Sequence, residues 1–264
     1  MPKILFLGDI MGRPGRDAVK RRVKALRTEL GLDIVVVNGE NAAAGAGITA
    51  VIAHELLDAG VDAITLGDHV WDQRNFDSEI SALDRVCRPA NLPPQCPGRT
   101  YVVVTSATGF RLGVFTVLGR TFMKINGDSP FAVADNMLRE HATEADAWLV
   151  EAHMEATSEK SALGWYLDGR CAAVLGTHTH VPTADTSIRP RGTAFQTDVG
   201  MTGPYASVIG FEVPTAVARS LDGMPRKMEI ASGDVRLCGC IIEIAPATRI
   251  AARAERFEEA LPPV

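Results

Sequence analysis

The chain has 264 residues, 46% hydrophobic and 22% charged, a length that suits one large domain or two small ones. Its composition excludes a disordered chain, a collagen-like repeat and a disulfide scaffold. The net charge of −5 supplies no overall basic field for long nucleic acid, so an anionic substrate must find positive charge locally.

Taken in chain order, short β-branched runs alternate with helix-length segments, the pattern of an α/β sheet. Lys3 to Gly8 reads as a strand, followed by a helix over about 16–30. Asp33 to Asn38 is a second strand, and Thr49 to Ala59 a second helix with Thr49 as its N-cap. Ala63 to Leu66 is a third, short strand. Arg88 to Arg99, with four prolines, reads as a long loop, and Tyr101 to Ser106 pairs with Arg111 to Leu118 as a hairpin. Ala147 to Ala152 and Ala172 to Leu175 are buried-type strands around a helix over about 158–167. Ile188, Ala194 to Thr197 and Val235 to Ile244 read as antiparallel strands. No linker or repeat divides the chain, which favours a single domain over 1–264. The first apolar run, Ile4 to Leu7, is too short for a signal peptide, and no stretch approaches the ~20 apolar residues of a membrane span. These features point to a cytoplasmic protein. The five cysteines form no CxxC pair, and Cys238-Gly-Cys240, alternating on one strand face, reads as ordinary thiols.

Polar residues follow one apolar strand after another: Asp9, then Glu40 and Asn41, then Asp68 and His69, then His153, then His178 and His180. Residues just past the carboxyl ends of strands in an open α/β sheet converge on one crevice. Four of the six histidines sit at these ends. Singly, each has an ordinary explanation: Asp9 as a helix N-cap, Asp68-His69 as a turn pair, His153 as a satisfied core histidine. Five strand ends together do not. Mixed imidazole and carboxylate donors suit manganese, iron, zinc or nickel better than magnesium or calcium. Seven or eight such donors exceed what one ion needs, whereas two ions ~3.5–4 Å apart would use them all, with Glu40 or Asp9 as a bridging carboxylate. Gly8, Gly39, Gly67 and Gly176 beside these donors are expected to allow sharp turns and close approach. His54 and His141 read as structural or solvated, and the basic residues from Arg16 to Arg27 as a solvated helix face.

The series Gly-Asp9, Gly-Glu40-Asn41, Gly-Asp68-His69, His153 and Gly-Thr-His178-Thr-His180 resembles the calcineurin-like metallophosphoesterases, and more narrowly their YmdB-like bacterial branch. Gly8 to Gly15, Glu155 to Lys160, Gly176 to Asp185 and Gln196 to Gly203 extend the resemblance over nearly the whole chain. It implies a four-layer α/β/β/α sandwich of two mixed sheets, a dinuclear iron or manganese centre (zinc being the alternative) and hydrolysis of phosphodiesters, cyclic nucleotides among them. Carried over residue by residue, Asp9, Asn41 and His180 would serve a first metal, and Asp68, His153 and His178 a second. Glu40 would bridge them, and His69, not a ligand, would protonate the leaving oxygen. One departure stands out: the family's usual Gly-Asn-His is Gly-Asp68-His69 here. Two divalent ions with Asp9, Glu40 and a bridging hydroxide leave one net positive charge for the phosphate. An ionised Asp68 cancels it, which should tighten metal binding and slow turnover at neutral pH.

The reaction implied is attack on a phosphodiester by hydroxide generated between the cations, with 2′,3′-cyclic nucleotides the first candidate because of ring strain. 3′,5′-Cyclic nucleotides and simple diesters come next. Arg13, Arg120 and Thr121-Phe122-Met123 are candidates for flanking the mouth, and Glu155 and Glu159 for partnering a ligand histidine or flanking the following helix. The competing readings are a phosphomonoesterase on the same metals, and a regulatory protein that turns over slowly and retains nucleotide. The apolar loop Ala206 to Phe211 leaves a homo-oligomer open.

Overall fold

The computed structural model describes residues 1–125 and 127–262; Asn126 and the last two residues of the expected 1–264 domain lie outside it. The elements run β1 (Lys3–Leu7), α1 (Gly12–Leu30), β2 (Ile34–Asn38), α2 (Ala50–Asp58), β3 (Ala63–Thr65), α3 (Phe76–Glu79), β4 (Val86–Cys87), β5 (Val102–Thr105) and β6 (Arg111–Leu118). They continue with α4 (Pro130–Glu140), β7 (Ala147–His153), α5 (Thr157–Tyr166), β8 (Ala173–Thr177), β9 (Ser187–Ile188), β10 (Ala194–Gln196), β11 (Gly203–Pro204), α6 (Val213–Asp222), β12 (Val235–Ile244) and β13 (Ala251–Ala260).

Two mixed sheets result. One is ordered β11-β12-β1-β2-β3-β4 with β13 added on β12, the other β5-β6-β7-β8-β10-β9. The period-two alternation of strand side chains builds the layers. Leu5, Leu7, Val35 and Val37 face outward and pack on Val19, Val23 and Leu26 of α1 and Ala53 and Leu56 of α2. Their neighbours Ile4, Phe6, Ile34 and Val36 face inward and meet Val114, Leu149 and Leu175 of the second sheet. Phe115, Val150 and Val174 on that sheet's far side pack on Met137 and Leu138 of α4 and Leu163 of α5. Both sheets are therefore buried on both faces, which is why their strands read as near-continuous apolar runs. This is the α/β/β/α sandwich the resemblance implied.

The local differences have physical causes. The first helix begins at Gly12 rather than Arg16, because Pro14 is pre-organised for a first turn. β10 pairs parallel with β8 and is antiparallel only to β9. The basic run on α1 is partly paired rather than simply solvated: Arg22 bonds Glu29 and Glu259, and Arg27 bonds Asp62. α4, absent from the sequence reading, is capped by Ser129, whose hydroxyl accepts from the Ala132 N–H. β13 is charged enough to look unlike a strand, yet it pairs with β12 along nearly its whole length and covers that edge. Thr49 caps α2 as expected, accepting from the Ile52 N–H. All five cysteines are free; Cys87, Cys171, Cys238 and Cys240 are buried and Cys96 is half-buried.

Candidate metal centre

Strands β1, β2 and β3 run parallel in the first sheet, and β6, β7 and β8 run parallel in the second. Their carboxyl ends deliver Asp9, Glu40, Asn41, Asp68 and His69 from one sheet, and His153, His178 and His180 from the other. Donor atoms of Glu40, Asp68, His153 and His178 all lie within 4.8 Å of one another. His153 Nε2 is 3.0 Å from Asp68 Oδ1, 3.1 Å from His178 Nδ1 and 3.2 Å from Glu40 Oε1. Donors held at 2.0–2.2 Å from one ion stand roughly 3–3.5 Å apart, the spacing found here.

Ring orientation is set from behind. His153 Nδ1 lies 2.9 Å from the Thr177 hydroxyl, which donates in turn to Glu151 Oε1 at 2.6 Å. Glu151 is fully buried and also accepts from Asn38 Nδ2 and the Thr116 hydroxyl. With its proton spent on Thr177, His153 presents the Nε2 lone pair to the cluster, the arrangement by which a buried carboxylate orients a ligating imidazole. Glu155 Oε2 lies 3.3 Å from His178 Nε2, so a proton held there leaves Nδ1 as the lone pair.

The second half of the constellation has the same character. His180 Nδ1 lies 2.9 Å from the Ile209 carbonyl, which accepts its proton and leaves Nε2 bare. Asn41 Nδ2 donates to the Gly45 carbonyl, and its Oδ1 stands 3.2 Å from His180 Nε2. Two acceptors thus face each other with no proton between them. Asp9 is fully buried; its Oδ2 accepts from the His178 N–H at 3.2 Å, while Oδ1 has no hydrogen-bond partner among the described residues. An unpaired buried carboxylate oxygen is costly unless something positive meets it.

The electrostatics carry the same demand. Burial above all, with Glu40, Asp198 and Glu151 adding and His153 opposing, pushes the Asp9 carboxyl up to about 8. Burial works against charge on His153 too, but Glu40 and the bonds to Asp68 and Glu151 hold its imidazole well above the ordinary histidine value. Burial would raise Asp68, yet the hydrogen bonds from His153 and His178 hold it far below the usual carboxylate range. A site that protonates one acid and charges one imidazole for want of cations fits divalent metal, and these donors fit it by type as well.

Gly67 shows how tightly the centre is built: a Cβ there would overlap Glu40 Oε2 and His153 Nε2. Gly8, Gly39, Gly67 and Gly176 all have ordinary φ, so close approach is what requires glycine there; Gly39 and Gly67 also open turns, their carbonyls accepting from the Ala42 and Val70 N–H groups. The left-handed backbone falls instead on His178 (φ 90°) and His180 (φ 65°).

His69 stands beside the cluster. Its N–H donates to Glu40 Oε2 at 3.3 Å, and its Nδ1 is 2.7 Å from Asp72 Oδ2. Burial lowers its affinity for a proton, but Glu40, Asp72 and Asp68 together raise it above the ordinary value. Arg13 is exposed, points to Asp17, and lines a cavity of about 600 Å³ that includes none of the cluster residues. Arg120 and Thr121 do approach: Glu159 accepts from both backbone N–H groups, and the adjacent Gly119 N–H donates to the His153 carbonyl. Glu155 therefore touches a cluster histidine while Glu159 anchors the neighbouring loop. His54 is exposed on α2, and His141 stacks on Tyr101 and bonds Glu144, away from the cluster. Sequence reasoning placed Asn38, Glu151 and Thr177 at the strand ends without giving them a role, and missed Asp72, which lies three residues after His69.

Two doubly covered mixed sheets with this donor cluster at their strand ends define a metallophosphoesterase-type fold. On a solved structure described as a novel phosphatase from Mycoplasma pneumoniae, the chain superposes with a TM-score of 0.90 at 31% identity, covering 98% of this chain and 93% of that one. The profile of the YmdB-like protein family matches residues 5–257, and the chain belongs to that family. It is 45% identical over 257 residues, 97% of this chain and 96% of the relative, to the 2′,3′-cyclic-nucleotide 2′-phosphodiesterase of Bacillus subtilis strain 168. A hypothetical protein from Thermus thermophilus matches with a TM-score of 0.91 at 42% identity, over 98% of this chain and 100% of that one.

Proposed function

We propose that this enzyme, a phosphoric diester hydrolase, opens cyclic nucleotides with the help of two divalent cations. 2′,3′-Cyclic nucleotides are its first substrates, and 3′,5′-cyclic nucleotides or simple diesters come next. The observation that carries the reading is the convergence of donor atoms: His153 Nε2 within 3.2 Å of Asp68 and Glu40, and the lone pairs of His180 Nε2 and Asn41 Oδ1 facing each other at 3.2 Å. Glu40, Asp68, His153 and His178 would hold one cation, and Asp9, Asn41 and His180 the other, with Glu40 shared. Iron or manganese is the expected metal and zinc the alternative. Bound cations would supply Lewis acidity toward the phosphoryl group and the attacking water.

The chain's own residues do the rest. Glu151, through Thr177, and the Ile209 carbonyl keep the two buried imidazoles in the tautomers that face inward. Asp72 holds a proton on His69 Nδ1, so in the charged ring Nε2–H remains to protonate the departing ribose oxygen. No serine or cysteine nucleophile is needed. Among the described residues no helix is long and apolar enough to cross a membrane. The proposed setting is the cytoplasm, with soluble nucleotide as substrate.

The test is elemental analysis of freshly purified protein followed by a substrate panel. Two transition metals per chain, with faster cleavage of 2′,3′-cyclic nucleotide and bis(p-nitrophenyl) phosphate than of p-nitrophenyl phosphate, is the expected result. A preference for the monoester would make the protein a phosphomonoesterase. Stoichiometric nucleotide retention without turnover would make it a regulatory binding protein.

A further inference from the structure

Two stretches of the resemblance remain outside the chemistry above: Glu155 to Lys160 and Gln196 to Gly203. They meet inside the protein. Lys160, on the first turns of α5, and Asp198, just past β10, are both fully buried, with Nζ 2.7 Å from Oδ2. A buried ion pair is weak evidence of added stability, since desolvation offsets the attraction. What else Asp198 touches is more telling. Its Oδ2 accepts from both the N–H (3.1 Å) and the hydroxyl (2.7 Å) of Thr179, and its Oδ1 from the Gly200 N–H at 2.8 Å.

Thr179 is the residue between His178 and His180, the two with left-handed φ. Such backbone is unfavourable for a side chain with a Cβ and persists only where the surroundings impose it. Asp198 grips the loop midway between the two strained positions. The same segment supplies further ties: the Thr183 N–H donates to the Asp198 carbonyl, and the Val199 N–H to the Gly176 carbonyl. Gly176 makes the assembly possible, because a Cβ there would overlap the Thr197 carbonyl and crowd the Lys160 stem.

We propose that the buried Lys160–Asp198 pair is a positioning device for the metal centre, holding Thr179 so that the strained His178 and His180 present one donor to each half of the site. Lys160 orients the carboxylate and offsets its charge; Asp198 fixes the loop. Neither residue touches substrate or metal. The proposal rests on the reading that His178 and His180 are cation ligands.

The test uses the full chain, manganese(II) as the probe, and the Lys160→Met/Asp198→Asn double variant, which removes both charges and leaves neither stranded. Thr179→Val and Thr179→Ser serve as finer variants that keep the ion pair. Three readouts are compared: Mn²⁺ affinity by chelator competition, the electron paramagnetic resonance of the bound manganese, and melting of the metal-free protein. Expected are Mn²⁺ affinity at least about tenfold weaker in the double variant, a smaller loss in Thr179→Val, and recovery in Thr179→Ser. The spin-coupled signal of a manganese pair should give way to that of isolated ions, while Thr179→Val melts like the wild type without metal. Wild-type affinity in both the double variant and Thr179→Val would overturn the proposal. So would an affinity loss in Thr179→Val that serine does not restore and that tracks metal-free melting. Should the double variant not fold, the Thr179 pair decides alone. Wild-type protein that binds no Mn²⁺ would sink the metal reading itself, and the positioning device with it.

Discussion

Replacing Asp72 by asparagine tests the proton-donor assignment with the least disturbance, because the residue touches His69 and none of the cluster donors. The pair is short, with Nδ1 2.7 Å from Oδ2, but its side chains are 35% and 48% exposed. Water screens a pair of that kind, so its worth is about 0.2–1 kcal/mol, a factor of about 1.4–5 in the protonation ratio of His69. The sign follows from the direction of the shift. Asp72 helps raise His69 above its ordinary value, so without it the ring loses its proton at lower pH. The alkaline limb of kcat should therefore move to lower pH by a fraction of a unit, with less movement at high salt. His69→Ala should instead lower kcat by about 10²–10⁴-fold at every pH, with bound metal unchanged. The assay is initial rate against pH on a 2′,3′-cyclic nucleotide, with metal content measured on each preparation. An alkaline limb that stays put or moves upward in Asp72→Asn, or undiminished turnover in His69→Ala, would refute the assignment.

Asp68→Asn should weaken metal retention several-fold and raise turnover at neutral pH, checked by chelator competition and rate; a slower enzyme with unchanged metal affinity contradicts the charge argument. Thr177→Val removes the hydroxyl between His153 and Glu151 and strands a buried donor, which should cost about 2 kcal/mol and lower Tm by about 4–8 °C. Stripping both metals with a chelator should remove about 5.4 kcal/mol and lower Tm by about 11–22 °C if each ion is bound at about a hundred times its Kd, and adding Mn²⁺ back should restore it.

The sheets were legible in the sequence because strands buried on both faces are largely apolar: Ile4 to Leu7, Ile34 to Val37 and Ala172 to Leu175 leave little else to be. The cluster was legible for a related reason, since polar side chains just past such runs have only the crevice to enter. β13 was illegible because its stability lies in pairing along β12 and in charge pairs such as Arg236 with Glu258, not in its own propensity. The supporting residues were hidden for a third reason. Glu151 sits within a strand where an acid reads as an anomaly, and only the approach of Asn38, Thr116 and Thr177 from other strands gives it partners.

The constellation divides between the sheets, and that division explains where the protein has placed its unfavourable features. Asp9, Glu40, Asn41 and Asp68 stand on the first sheet and lack positive partners of their own; the imidazoles that meet them stand on the second. Without cations, burial and the neighbouring carboxylates push Asp9 up to about 8, and against burial Glu40, Asp68 and Glu151 hold His153 well above its usual value. On the proposed reading, cations would meet each donor as its outer partner already sets it: His153 by Thr177 and His180 by Ile209 in protonation, and Asn41 by Gly45 in orientation. Those outer bonds are already formed in this structure, so the donors would not have to reorganise to receive metal. The left-handed φ of His178 and His180 belongs to the same account. A loop relaxed to ordinary backbone would turn the rings away from the partners on the first sheet, and the fold keeps it strained through Thr179 and Asp198.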